Sequence, residues 1–166
     1  MTVTAVDKDP TTLTMQITAE YDAPVERVWQ LWSDPRLLER WWGPPTYPAT
    51  VDEHDLTPGG RVAYHMTGPE GDQSAGWWKV LVVEPPHRLE LEDGFADADG
   101  APNPKMPSVH MRVDITTVDA GSRMSITTTF PSHEAMDKLV SMGMDEGISQ
   151  AIGQIDAILA EPAVTS

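Results

Sequence analysis

The sequence contains no cysteine, which excludes disulfide bonds and thiol chemistry. It has no run of 18 apolar residues, so we expect no membrane-spanning helix. Residues 1–10 are polar and acidic, unlike the basic and then apolar start of a signal peptide. These absences together favour a cytoplasmic protein.

Basic residues are scarce. The 166 residues include 11 Lys and Arg against 26 Asp and Glu, a formal net charge of −15. Such a balance repels polyanions, so we expect no nucleic-acid partner, and an anionic membrane surface is a poor partner.

Catalytic and cofactor-binding motifs are also missing. The chain has no G-x-S-x-G, H-E-x-x-H or G-x-x-x-x-G-K-[ST] motif, and no G-x-G-x-x-G between a strand and a helix. We therefore expect no cofactor and identify no catalytic residue, which favours a binding protein over an enzyme without deciding between them.

What the chain does have is six Trp and nine Met, residues that build cores and also line adaptable apolar pockets. Its length fits one domain. We assign residues 11–161 to that domain, residues 1–10 to a flexible N-terminal tail and residues 162–166 to a C-terminal tail.

Hydrophobic periodicity predicts the order of elements. Residues 12–21 alternate as a half-buried strand, two short helices follow from Pro24 and from Pro35, and six further strands lie between Thr50 and Phe130. Two of these strands are predicted over 61–67 and 88–93, and the Gly- and Pro-rich residues 94–107 predict a loop. Apolar residues at three- and four-residue spacing then predict one long helix over 132–160, with Ser132 as its N-cap.

No β-α-β alternation occurs, so the class is α+β with an antiparallel sheet. The long C-terminal helix must cover the apolar face of that sheet, with an apolar cavity left between them under the two Trp-rich helices. Gly143 and Gly147 lie inside this helix, at a cost of roughly 1 kcal/mol each relative to Ala. They indicate either close packing or room for a ligand.

Several motifs in this order resemble one family. They are A-P-V-E-R-V-W at 23–29, D-P at 34–35, W-W-G-P at 41–44, D-L-T-P-G-G-R at 55–61, E-P-P-H-R-L at 84–89 and M-G-M-D-E-G at 142–147. Over about residues 13–161 the chain resembles the activator of heat-shock protein 90 ATPase homologue-like branch of the START-like (SRPBCC) superfamily. The resemblance implies the helix-grip fold, with a curved seven-stranded antiparallel sheet around the C-terminal helix and a cavity for a lipid-like or polycyclic molecule.

The sequence departs from the family pattern at two positions. Many members have Trp where this chain has Ile148, and Arg where it has Thr57. The additional N-terminal domain of the eukaryotic chaperone activators is also missing from these 166 residues, so we do not expect a chaperone partner.

We predict that the cavity and its lid are formed mainly by aromatic residues and Met, from the two short helices, the inner faces of the strands and the first half of the C-terminal helix. Tyr64 or Thr128 would orient a ligand by a hydrogen bond. The predicted lining and lid residues are Trp32, Trp41, Trp42, Tyr47, Tyr64, Met66, Trp78, Met111, Thr128, Phe130, Met136, Met144, Gly147 and Ile148.

Ionisable residues leave two alternatives open. Glu53, Asp93, Tyr64 or His65 would face the cavity in one strand register and solvent in the other, because a slip of one residue exchanges the faces. A metal site at His54 and His65 is conceivable, but no ligand pair has a diagnostic spacing, so we expect no metal.

Three functions follow as hypotheses. The first is binding of a small apolar or polycyclic molecule by a carrier, a sequestering protein or a sensor. The second is an enzyme of the cyclase, dehydratase or hydrolase type that acts on a polyketide-like substrate by general acid–base catalysis. The third is a protein-interaction module that exposes the Trp residues of the lid, a patch that homodimerisation would also explain.

Overall fold

The computed structural model describes residues 3–97, 101–119 and 121–161 and has an α+β fold. The predicted C-terminal tail 162–166 and part of the predicted loop 94–107 lie outside the described residues. In chain order the elements are β1 (Val3–Asp9), β2 (Thr14–Tyr21), α1 (Val25–Ser33), α2 (Pro35–Trp41), β3 (Ala49–His54), β4 (Arg61–Thr67), β5 (Gln73–Glu84), β6 (Arg88–Ala96), β7 (Val109–Val118), β8 (Gly121–Thr129), α3 (His133–Ser141), α4 (Met144–Ile152) and α5 (Ile155–Leu159).

Within the described residues, eight strands form a single antiparallel sheet in the order β1-β2-β8-β7-β6-β5-β4-β3. The register shifts at Val51/Glu53 in β3 and at Val80/Val82 in β5. Extra residues of this kind bend a strand and increase its twist. The inner face of the sheet carries the core, and the helices cover that face.

The expectation of a flexible tail over residues 1–10 is wrong for those of its residues that the structure describes. The expected count of seven strands is wrong for the same reason. Residues Val3–Asp9 form the edge strand β1, which pairs with β2 through Val6 and Ile17, among others. Lys8 of this strand forms an ion pair with Asp145 of α4 at 2.7 Å. The strand escaped prediction because residues 6–10 are exposed, so an alternating apolar pattern is not required there.

The second short helix begins at the predicted Pro35, and the first begins at Val25, one residue after the predicted Pro24. Pro24 is the N-cap residue of α1, and the Asp34 carboxylate caps α2 by accepting a hydrogen bond from the backbone N–H of Arg36 at 2.9 Å. Helix α1 buries Val28 and Trp32 completely against the sheet core.

The single long helix expected over residues 132–160 is instead three helices, α3 to α5. The main break lies at Gly143, whose φ of 89° is left-handed and ends the helical path after Ser141. The second joint, at Gly153 and Gln154, keeps right-handed backbone angles and is a tighter turn between α4 and α5.

The C-terminal end of this segment is fastened to the short helices. The Arg27 guanidinium donates a hydrogen bond to the Leu159 carbonyl at 3.0 Å. The Gln154 side-chain amide donates to the Gly43 carbonyl at 2.7 Å and so ties the loop after α2 to the joint between α4 and α5. Ile152 and Ile155 on either side of this joint are completely buried. No helix within the described residues has the length and apolar character needed to cross a membrane.

Candidate functional site

A pocket of about 310 Å³ lies between the sheet and the helices. Strands β4, β6 and β7 form one wall, and the end of α2 with its following loop, α3 and α4 form the other. Apolar side chains dominate its surface. The residues that line it are Trp41, Trp42, Pro44, Tyr64, Met66, Asp93, Gly94, Phe95, Pro107, Val109, Leu139, Met142, Gly143, Met144, Gly147, Ile148 and Ala151.

The polar part of the pocket is a pair formed by Tyr64 of β4 and Asp93 of β6. The Tyr64 hydroxyl donates a hydrogen bond to Asp93 Oδ1 at 2.9 Å. The two strands are not neighbours, so the Tyr64 side chain must reach across β5. It does so over Gly76, its register partner, where a Cβ atom would lie 2.3 Å from the Tyr64 ring and hydroxyl. The absence of a side chain at Gly76 therefore allows this pair to form.

Burial dominates the electrostatics of the pair. Loss of solvation raises the pKa of the Asp93 carboxyl to about 7, while the hydrogen bond from Tyr64 and the nearby indole N–H of Trp78 act in the opposite direction. Burial, with the negative charge of Asp93 next to it, raises the pKa of the Tyr64 hydroxyl well above its ordinary value. At neutral pH Asp93 is thus divided between its acid and its carboxylate form, and Tyr64 remains a donor.

No lysine, arginine or histidine among the described residues neutralises Asp93 with an ion pair. The residues of the lining that can titrate are Asp93 and Tyr64. The pocket is therefore apolar and holds one carboxyl group without a protein counter-charge.

A cluster of aromatic rings supports this end of the pocket. The ring of Trp42 meets those of Trp78 at 4.8 Å and Tyr64 at 5.9 Å between centroids, both close to perpendicular. Trp41 packs edge-on against Trp42 at 5.5 Å and donates its indole N–H to the Leu31 carbonyl at 2.9 Å. The indole N–H groups of Trp42 and Trp78 are buried, yet neither has an acceptor in hydrogen-bond geometry among the described residues. Such orphaned donors are uncommon in folded proteins.

The glycines of the helical wall leave space. Gly147 lies in α4 and borders the pocket, and a Cβ atom built there would meet nothing within 4 Å. The same is true at Gly143, whose role is set by its left-handed backbone. The structure therefore has open space beside both glycines and no close packing against them.

Half of the residues predicted for the site meet in this pocket. They are Trp41, Trp42, Tyr64, Met66, Met144, Gly147 and Ile148.

The other half do not line it. Tyr47 is partly exposed and donates its hydroxyl to Asp72 at 2.7 Å. The remaining residues are buried in the core, where neighbouring side chains separate them from the pocket. Among them, Thr128 Oγ1 has no hydrogen-bond partner among the described residues. These residues are Trp32, Trp78, Met111, Thr128, Phe130 and Met136.

The predicted lining set omitted several residues of the pocket, although Asp93 was named among the ionisable candidates and a signal for Phe95 was present. Leu89, Leu91, Asp93 and Phe95 share one face of β6, because the alternation continues to Ala96. The sequence interpretation ended this strand at Asp93 and assigned Gly94 onward to a loop, which hid Phe95. The lining residues outside the predicted set are Pro44, Asp93, Gly94, Phe95, Pro107, Val109, Leu139, Met142, Gly143 and Ala151.

The other ionisable candidates lie outside the pocket. Glu53 is exposed and 3.9 Å from Arg61. His65 is paired with Asp52 at 2.8 Å, and His54 contacts the Trp32 carbonyl at 3.0 Å. Within the described residues, no group of three His, Cys, Asp or Glu side chains is arranged to hold a metal ion.

Comparison with known proteins identifies the family. The model of the "activator of Hsp90 ATPase homolog 1-like protein" family matches residues 22–160. The chain belongs to this family. The match spans both short helices, the sheet from β3 to β8 and the three C-terminal helices, and thus the whole lining of the pocket.

Solved structures of related proteins have the same fold. A crystal structure of protein Ms6760 from Mycobacterium smegmatis is 49% identical with a TM-score of 0.89, and the alignment covers 98% of this chain and 99% of that one. A solution structure of an Arthrobacter aurescens protein is 52% identical with a TM-score of 0.93, covering 98% and 94%. A Rhodobacter sphaeroides protein at 22% identity, TM-score 0.80 and coverage of 94% and 97% shows the fold alone. A comparison with curated proteins finds no match.

Proposed function

We propose that this member of the Hsp90 ATPase activator homolog 1-like family binds a small apolar or aromatic molecule in the pocket between the sheet and helices α2 to α4. The observation that carries the proposal is a pocket of about 310 Å³ with an almost entirely apolar lining. This volume lies near the lower end of the roughly 300–1,000 Å³ of small-molecule sites. Burial of the ligand at about 25 cal/mol per Å² of apolar surface would drive the binding.

The Tyr64–Asp93 pair gives such a ligand a fixed orientation. Binding sites of this kind combine apolar walls with a few placed polar groups, and here the polar groups lie together at the β4–β6 side of the pocket. We expect a carrier, sequestration or sensor role, in which the molecule is held and released unchanged.

Ligand-observed NMR and thermal-shift measurements against polycyclic aromatics, fatty acids and sterols test this proposal. Gly147→Leu should abolish binding and leave the fold intact, because the new side chain enters the open space beside Gly147. Gln150→Leu is the matched control, since it adds a similar apolar side chain at an exposed position of the same helix. If no compound binds the unmodified protein, or if both variants bind equally well, the proposal is wrong.

A catalytic role is the alternative, and the Tyr64–Asp93 pair favours it. A carboxyl group with a pKa of about 7 can both donate and accept a proton at neutral pH, as a general acid–base requires. A cyclase, dehydratase or hydrolase acting on a polyketide-like substrate would use Asp93 in that way. Incubation with a short polyketone followed by mass spectrometry would reveal cyclised, dehydrated or cleaved product. If the protein is such an enzyme, Asp93→Asn should abolish turnover while the substrate still binds.

The protein-interaction hypothesis loses its main support. Trp41 is completely buried and Trp42 is 7% exposed, so neither offers an aromatic patch to a partner. We retain homodimerisation only as a prediction for sedimentation analysis.

A further inference from the structure

Asp93 carries a charge that the described part of the protein does not balance. The faces that α2, β7, α3 and α4 turn toward the pocket have no titratable side chain. Lys138, Asp145 and Glu146 are next to lining residues of α3 and α4 in the sequence, but they do not line the pocket themselves. Asp145 forms an ion pair with Lys8. Asp93 therefore receives one hydrogen bond, from Tyr64 at 2.9 Å, and the indole N–H of Trp78 lies nearby without forming one.

Aromatic side chains surround the space in front of this carboxyl group. Trp41, Trp42, Tyr64 and Phe95 all border the same pocket. The face of an aromatic ring attracts a cation, most strongly when the cation has lost its water. An apolar pocket with several such rings and one uncompensated carboxylate has the two features that bind an apolar cation. The net charge of −15 adds an attractive field for cations around the whole molecule.

We propose that this pocket selects hydrophobic cations, meaning tertiary or quaternary amines on an apolar or aromatic body, with the Asp93 carboxylate as their counter-charge. The inference rests on the proposed function, namely that the pocket binds a small apolar molecule, and names the class of that molecule. The Tyr64 hydroxyl holds the carboxylate in place, and the aromatic rings and Met side chains enclose the rest of the ligand.

The charge of the ligand determines how its affinity changes with pH. A cation favours ionised Asp93, so its binding releases a proton and strengthens as the pH rises. A ligand that offers an oxygen acceptor needs protonated Asp93 as donor and binds more tightly as the pH falls. A neutral hydrocarbon is indifferent to the state of Asp93, and its affinity is constant.

Three probes of similar shape separate these cases: benzyltrimethylammonium, its neutral isostere neopentylbenzene, and phenylacetate. The quaternary ammonium ion does not titrate, so any pH dependence belongs to the protein. Because the pKa of Asp93 is about 7, the affinity for benzyltrimethylammonium should rise about tenfold between pH 6 and pH 8. At pH 8 it should exceed the affinity for neopentylbenzene by about tenfold or more.

The Asp93→Asn variant tests the residue. It resembles protonated Asp93 in shape, so the fold should persist, and binding of the cation should weaken to the level of neopentylbenzene and lose its pH dependence. Glu92→Gln is the matched control, since it removes the same charge from the adjacent position on the other face of β6, where Glu92 bonds Ser108. This variant should bind like the unmodified protein. An NMR spectrum in which the dispersion of the amide signals is unchanged verifies that each variant is folded.

Any other result overturns the inference, and the three possible results differ in what else they overturn. Equal, pH-independent binding of the cation and neopentylbenzene, or tighter binding of phenylacetate at low pH, contradicts selection for cations but leaves the pocket as a binding site. Failure of all three probes, together with the failure of the larger compounds named above, removes the proposed function as well. Loss of cation binding in Glu92→Gln equal to that in Asp93→Asn would assign the effect to net charge rather than to the pocket.

Discussion

The Tyr64 hydroxyl reaches across strand β5 to the carboxylate of Asp93, with 2.9 Å between the two oxygen atoms. The two residues are separated by 29 positions and lie on β4 and β6, with Gly76 of β5 beneath the tyrosine side chain. The bond therefore depends on three neighbouring strands being in register. It places the polar group of the pocket in a fixed position against otherwise apolar walls.

Removal of the Tyr64 hydroxyl should raise the pKa of Asp93 above its value of about 7, because the carboxylate loses a donor while its burial remains. Tyr64→Phe makes this change with little effect on volume. Titration of the Asp93 side-chain carbon by NMR measures it directly. Tyr47→Phe is the control, since it removes a hydroxyl bonded to Asp72 outside the pocket. An unchanged Asp93 pKa in Tyr64→Phe would show that the bond does not stabilise the carboxylate.

A side chain at Gly76 should break this arrangement. A Cβ atom there would lie 2.3 Å from the Tyr64 ring, so Gly76→Ala must displace the ring and should destabilise the protein by about 1–3 kcal/mol. Urea denaturation gives the free energy of unfolding. The same substitution in a Tyr64→Ala background should cost much less, because the clash is gone, and this coupling identifies the cause. If the effects of the two substitutions on the free energy of unfolding are additive, the clash with Tyr64 is not the cause of the destabilisation.

Much of the fold follows from local patterns. Strand β4 occupies the predicted Arg61–Thr67, and Asp34 caps α2, because alternation and capping are local signals. Strand β1 was missed since its residues 6–9 are exposed and carry no apolar alternation. The break at Gly143 was missed because a glycine at helical spacing does not reveal its own φ, which here is 89°.

The site was harder to predict than the fold. Of the predicted aromatic and Met residues, Trp41, Trp42 and Met144 line the pocket, whereas Trp32 and Met111 have the same sequence character and lie in the solid core. Which side chains border an empty space depends on how the sheet and the helices fit together, and no local pattern contains that information. Asp93 was a candidate by parity alone, and its importance became visible only with the register that brings it to Tyr64.

The two glycines of the helical wall should respond oppositely to alanine. Gly147 lies inside α4 with open space around it, so Gly147→Ala should stabilise the protein by roughly 0.5–1 kcal/mol through helix propensity. Gly143 has a φ of 89°, so Gly143→Ala should destabilise it by about 1–2 kcal/mol despite equally open surroundings. For a chain of this length each kcal/mol corresponds to about 2–4 °C in Tm. Shifts of the same sign in both variants would show that backbone conformation does not distinguish the two sites.

The elevated pKa of Asp93 should make part of the stability depend on pH with a defined sign. In the unfolded chain an Asp has a pKa of about 3.9, whereas in the folded protein the pKa of Asp93 is about 7. Between these values the folded state binds more protons than the unfolded state, so this group's contribution to stability is lost as the pH rises from about 4 to about 7. Carboxyl groups whose pKa is lowered by their partners, such as Asp145 beside Lys8, contribute with the opposite sign at lower pH.

Comparison with Asp93→Asn isolates this contribution, because asparagine stays neutral at every pH and the other carboxyl groups are shared by both proteins. We expect the two proteins to have similar free energies of unfolding at about pH 4, below which Asp93 is protonated in both states. At pH 8 the variant should be the more stable one, by an amount on the order of 1–4 kcal/mol. Urea denaturation across pH 4–8 provides the measurement. If the difference between the two proteins is constant over this range, the pKa of Asp93 is the same in the folded and the unfolded protein. Asp93 would then be a carboxylate throughout the range, which contradicts a role as an acid–base group at neutral pH and contradicts the predicted rise in cation affinity between pH 6 and pH 8.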